Sequence, residues 1–140
     1  MPVLQALLDT MPFAKINVLH WHIVDSQSFP FGVPSHPELA HFGAWSPQER
    51  YSPRDIQDIV ERARQRGIRV VVEIDTPSHA ASWCPGRPGV CPLPTCTQPL
   101  NPATEDTFHL ITDIFRDITG GVRGSGLFPD NMLHLGGDEV

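Results

Sequence analysis

No apolar run in this sequence approaches the roughly 20 residues that a membrane-spanning helix needs. Positive charge is scarce too: 10 Lys and Arg stand against 16 Asp and Glu, a net charge of −6. A nucleic-acid partner requires a basic face that releases counterions, so that class is excluded. Only three cysteines occur, Cys84, Cys91 and Cys96, and no two form a CxxC pair, so the spacing does not fit a structural zinc site. One disulfide among them would leave an odd thiol. Internal repeats and a composition break that would mark a domain boundary are also missing. The opening MPVLQALLDTMPF lacks a basic stretch followed by a long apolar one, so it does not read as a secretory signal.

What is present is an ordinary globular composition, 40% apolar and 19% charged, in 140 residues, enough for one hydrophobic core. Proline is in excess at 15 residues, and several of these fall in CPGRPGVCPLPTCTQP, residues 84–99, which reads as a stiffened surface loop. The apolar spacing of Val3, Leu4, Leu7, Leu8 and Met11 predicts a helix over 2–11, stopped by Pro12. KINVLHWHIV, residues 15–24, is strand-like. A Pro-, Gly- and Ser-rich loop is expected over 25–51. Ser52 then reads as an N-cap with Pro53 at the first helical position, and Ile56, Ile59, Val60 and Ala63 share one helical face. Gly67 should end that helix. IRVVVEI, residues 68–74, predicts a strand covered on both sides. A third helix is expected from Asn101 and Pro102 through Ile118, and a last short strand over 132–135.

Strands alternating with helices predict a parallel sheet joined by right-handed crossovers. Acids and a histidine follow the C-terminal end of each strand: Asp25 after the first, Asp75 and His79 after the second, Asp138 and Glu139 after the third. In parallel α/β proteins that rim is where sites are built. His134, Gly136 and Asp138 fall on one face, and Glu73 shares a face with Asp75. Gly136 and Gly137 permit a bulge or a close approach. Crowded carboxylates there would raise one acid's pKa, equipping it to donate a proton near neutral pH.

Three stretches, NVLHWHIVDSQSFPF, GIRVVVEIDTPSHAASW and LHLGGDEV, in this order and spacing, closely resemble the catalytic domain of family 20 glycoside hydrolases, the β-N-acetylhexosaminidases. The resemblance runs through nearly the whole chain and is weakest in the Cys/Pro loop. It implies a (β/α)8 TIM barrel, of which residues 1–140 would be a single partial catalytic domain: an incomplete barrel, roughly strands 2 to 4 with the intervening helices. It also implies removal of terminal β-linked N-acetylglucosamine or N-acetylgalactosamine by substrate-assisted catalysis, an exception to the usual two-carboxylate retaining scheme. By that resemblance Glu139 is the general acid and then base. Asp138 orients the acetamido nitrogen and stabilises an oxazolinium intermediate. Asp25 and His79 form a hydrogen-bonded relay that tunes the acid, and Asp75 supports them. No cofactor or metal is implied. The partner is an oligosaccharide or glycoconjugate, with homodimerisation in the full-length protein, and the compartment is lysosomal or secreted.

Two departures stand against the family pattern. Its DxPGH segment carries glycine before the histidine where this chain has Ser78, and serine fits only if φ there is not strongly positive. The family's sugar-binding arginine and its pocket tryptophans and tyrosine have no counterparts here, so this chain is expected to be a fragment, inactive and poorly folded alone. Two rival readings accompany the main one. His20 and His22, an HxH on one strand face, could join His79 and Asp138 in a metal-dependent barrel hydrolase. A non-catalytic, sugar-binding remnant is the other. Trp21 is expected to pack outward, and Trp83 is open between lining a pocket and packing the loop.

Overall fold

A computed structural model of the protein describes residues 1–121 and 126–138. Six main elements alternate along the chain: α1 (Pro2–Thr10), β1 (Val18–Val24), α2 (Pro37–Gly43), α3 (Pro53–Arg64), β2 (Arg69–Ile74) and α4 (Glu105–Thr119). Strands β1 and β2 pair in parallel from Val18↔Arg69 to Val24↔Ile74, with an irregularity between His22 and Val24. Parallel neighbours need a crossover, and the segment carrying α2 and α3 supplies it.

The helix ends follow local chemistry. Ser52 caps α3 by a reciprocal box: the Asp55 amide donates to Ser52 Oγ at 3.1 Å, and the Ser52 amide donates to Asp55 Oδ2 at 2.9 Å. Two backbone donors are thereby satisfied before the first turn closes. The same helix buries Ile56, Ile59 and Ala63, as its periodicity predicts. Each of the two isoleucines contributes about 1.5–3 kcal/mol by leaving water. On the outer side Asp9 of α1 pairs with Arg62 and Arg66 of α3 at 2.5 and 2.6 Å. Helix α4 starts at Glu105, later than its sequence suggests, because Asn101 is used otherwise. Its side-chain carbonyl accepts the Ala103 amide, and its backbone carbonyl accepts the Thr107 hydroxyl. Gly120, at φ +75°, closes α4 in the left-handed conformation glycine favours.

Two expectations need correction. The loop over 25–51 contains α2, whose seven residues are too few to show a helical period; Leu39 and Ala40 bury it. That segment is pinned by tertiary hydrogen bonds, Phe29 N to Gly43 O at 2.8 Å and Tyr51 N to Pro30 O at 2.9 Å. The segment over 132–135 is not a full strand. It joins β2 at one residue: His134 N donates to Val72 O at 3.0 Å, and Ile74 N donates to His134 O at 3.1 Å. Directly afterwards Gly136 and Gly137, at φ +65° and +93°, take the chain out of the extended conformation.

The two faces of the sheet differ. Trp21 and Ile23 of β1 and Val70, Val72 and Ile74 of β2 are buried in one continuous core with the helices. Trp21 packs outward, edge-to-face on Tyr51 with ring centres 5.1 Å apart. The opposite face carries His20, His22 and Glu73. Residues 84–99 form the expected stiff loop, closed by a Cys84–Cys91 disulfide, with Cys96 free and exposed. No helix among the described residues is long and apolar enough to cross a membrane.

Candidate active site

The site begins where β1 ends. Asp25 leaves the sheet one residue beyond β1, and its carboxylate accepts three hydrogen bonds: from the Ser26 amide at 2.5 Å, His22 Nε2 at 2.8 Å and His79 Nδ1 at 3.1 Å. The Asp25 carbonyl also accepts the Ser82 hydroxyl, at 2.5 Å, which ties the loops after β1 and β2 together. Burial opposes the charge on Asp25, but the bonds from His22, Ser26 and His79 outweigh it and hold the carboxyl below its usual range.

His79 reaches Asp25 through a backbone turn. Its φ is +56°, in the left-handed region that non-glycine residues seldom occupy, a conformation that costs about 1–3 kcal/mol and clusters at functional sites. Ser78 has no positive φ, so serine fits where the family pattern has glycine. The left-handed residue is the histidine itself.

The third segment meets the same rim through Asp75. Asp75 is buried and its Oδ1 accepts the Gly137 amide at 3.1 Å. A Cβ on Gly136 would lie 1.8 Å from that same oxygen, so only glycine lets the chain pass. The turn delivers Asp138 to a place where its carboxylate, Asp75 and the His79 ring offer ligand atoms all within 4.8 Å of one another. Asp25, Asp75, His79 and Asp138 therefore converge from three neighbouring parallel segments. Glu139 lies outside the described residues.

Beneath this rim lies a cluster of which strand alternation reveals only the parity. Glu73, 7% exposed, accepts a hydrogen bond from His20 Nε2 at 2.5 Å and lies 3.2 Å from His22 Nδ1 and 3.3 Å from His134 Nδ1. Burial opposes its charge, yet the bonds from His22 and His20 keep it below the ordinary carboxylate value. His22 moves the other way. Burial disfavours its cation, but the bonds to Asp25 and Glu73 outweigh that and raise its pKa. This geometry bears on the metal reading of His20 and His22. Ligands of a tetrahedral zinc ion sit roughly 3.3 Å apart. Here His20 and Glu73 are in direct hydrogen-bond contact at 2.5 Å, and with His134 their ligand atoms all lie within 4.8 Å of one another.

Trp83 is fully buried, edge-to-face on Phe29 with ring centres 5.3 Å apart, so it packs the loop and does not line an open pocket. The rim of residues 84–99 leans on the site as well, through a hydrogen bond from Ser26 Oγ to Gln98 Oε1 at 2.7 Å.

A parallel α/β arrangement with acids and histidine gathered at the C-terminal ends of its strands defines an enzyme-type site. The chain belongs to glycosyl hydrolase family 20: the model of that family's catalytic domain matches residues 1–140. It is 46% identical over 140 residues to beta-hexosaminidase 3 of Arabidopsis thaliana, covering all of this chain and 25% of that protein. Against the human beta-hexosaminidase subunit beta it is 44% identical over 142 residues, covering 95% of this chain and 24% of the relative. Among solved structures, a Flavobacterium johnsoniae chitobiase superposes with a TM-score of 0.84 at 28% identity, over 99% of this chain and 21% of that one. A Vibrio harveyi exo-β-N-acetylglucosaminidase in complex with N-acetylglucosamine shares the fold at 23% identity and TM-score 0.84, over 98% of this chain and 25% of that one. The chain thus spans about a quarter of the length of the curated relatives it matches.

Proposed function

We propose that the complete protein is a β-N-acetylhexosaminidase that removes terminal non-reducing β-linked N-acetylglucosamine or N-acetylgalactosamine, and that residues 1–140 contribute one arc of a (β/α)8 barrel. The observation that carries this reading is the convergence of Asp25, Asp75, His79 and Asp138 at the ends of three parallel segments. Membership in the family supports the reaction class.

In this reading the substrate supplies its own nucleophile. The oxygen of the 2-acetamido group attacks the anomeric carbon as the glycosidic bond breaks, and Glu139 gives its proton to the leaving oxygen. An oxazolinium ion results. Asp138 accepts a hydrogen bond from the acetamido nitrogen, which aims the attacking oxygen, and its negative charge stabilises the cation. Water then attacks the anomeric carbon, the bond from that carbon to the acetamido oxygen breaks, and Glu139 takes the water's proton, so the sugar leaves with its configuration retained. Asp25 holds the His79 ring through its Nδ1, and in this reading that ring tunes the acid. Asp75 holds the turn that carries Asp138.

Kinetics of the complete enzyme on p-nitrophenyl N-acetyl-β-glucosaminide test this. Glu139→Gln and Asp138→Asn should each lose at least about 100-fold in kcat, the scale of one general acid or one charge-stabilising group. Azide should not rescue Asp138→Asn, because the attacking atom belongs to the sugar. Unchanged turnover in Glu139→Gln, or rescue of Asp138→Asn by azide, would remove the proposal.

A further inference from the structure

We propose that Glu73 is a positioning residue of the site: through His22 it fixes the carboxylate of Asp25 beneath His79. The inference rests on the hexosaminidase reading above and extends it one layer below the rim.

The argument starts from the two nitrogens of one ring. His22 Nε2 lies 2.8 Å from Asp25 Oδ2, and its Nδ1 lies 3.2 Å from Glu73 Oε2. Ionised carboxylates only accept hydrogen bonds, so a ring held between two of them is satisfied when both nitrogens donate. That form is the imidazolium, and the upward pKa shift of His22 agrees with it. The cation sits between two anions, each held by other donors too: Glu73 by His20, and Asp25 by the Ser26 amide.

The order of the contacts assigns the work. His22 commits Oδ2 of Asp25, leaving Oδ1 for Ser26 and His79. Without Glu73, nothing on β2 would hold the far side of the His22 ring, and Asp25 would lose one of the three bonds that fix its plane. Glu73 is well placed for the task, since it is buried, opposite His22 in the strand register, and anchored on a paired strand. Among the described residues, the titratable groups facing this chain of contacts are His20, His22 and Asp25 from the first segment, Glu73, Asp75 and His79 from the second, and His134 and Asp138 from the third. His20 and His134 approach Glu73 but make no bond to Asp25; His134 Nδ1 accepts the Gly136 amide at 3.1 Å. The relay to the rim therefore runs through His22 alone among the three histidines.

The test is a double-mutant cycle in the complete enzyme, with the same chromogenic substrate. Glu73→Gln should lower kcat about tenfold, the scale of one charged hydrogen bond, and leave KM within about twofold. His22→Gln should lose at least as much, and the double variant should lose no more than His22→Gln alone, because both changes cut one path. His20→Gln and His134→Gln should each lose less than His22→Gln, because neither ring bonds Asp25. Should Glu73→Gln fail to fold, the comparison of His22→Gln with the other two histidine variants still decides. Multiplying losses in the double variant, an unaltered kcat in Glu73→Gln, or equal losses in all three histidine variants would overturn the inference. Asp25→Asn separates the two layers: if it loses turnover while Glu73→Gln does not, only the positioning role falls. If Asp25→Asn and Glu139→Gln both keep full turnover, the hexosaminidase reading falls and takes this inference with it.

Discussion

Gly136→Ala should damage the site far more than the same change one residue later. The added Cβ would lie 1.8 Å from Asp75 Oδ1, 2.3 Å from its Cγ and 2.7 Å from its Cα. Rotating the Asp75 side chain cannot relieve this, because the last of these atoms is backbone. To reach ordinary contact at 3.4 Å, the turn would have to retreat by about 1.6 Å from Oδ1 with that side chain in place, and by about 0.7 Å from the Cα even with it rotated away. A left-handed φ of +65° adds about 1–2 kcal/mol for any residue with a Cβ. Overpacking adds about 1–3 kcal/mol if the turn stays in place. The cheaper outcome is that the turn moves, carrying Asp138 away from His79 and Asp75. A displacement on the order of 1 Å in a reacting group costs about 100-fold in rate. At Gly137 the nearest atom to an added Cβ is Thr76 O at 4.0 Å, so only the backbone cost remains, and about tenfold is expected. Steady-state kinetics of both variants in the complete enzyme, with circular dichroism to confirm folding, checks the pair. Parent-like activity in Gly136→Ala, or a larger loss in Gly137→Ala, would show that the close approach of Asp75 does not set this turn.

Further expectations concern the scaffold. Ser52→Ala removes the Oγ that accepts the Asp55 amide, while the residue-52 amide still donates to Asp55 Oδ2; it should lower stability by about 1 kcal/mol in denaturant titration, without changing KM. An effect below about 0.3 kcal/mol would mean water replaces the cap. Alkylation without reductant, followed by peptide mapping, should label Cys96 and leave Cys84 joined to Cys91; Cys96 recovered in a bridged peptide would contradict the loop's pairing.

Much of this molecule can be read from neighbouring residues. The Ser52 cap, the buried stripe of α3 and the apolar run of β2 each depend on side chains a few positions apart, so spacing reveals them. The resemblance across three motifs likewise points to Asp25, Asp75, His79 and Asp138. Helix α2 escapes such reading because it is short and is held by residues far along the chain. The 132–135 segment also reads as a strand, yet pairs at a single residue before two left-handed glycines turn the chain.

The sequence by itself determined which side chains stand at the ends of the extended segments, because strand alternation and loop chemistry are local properties. Only the tertiary structure decided which of them touch. Glu73 is an ordinary strand glutamate until parallel pairing sets it opposite His22, 51 positions away, and the bond from His79 to Asp25, which the family resemblance implies, is made with the His79 backbone turned left-handed. Contacts of that kind depend on register and burial between distant segments, and no spacing along the chain encodes them.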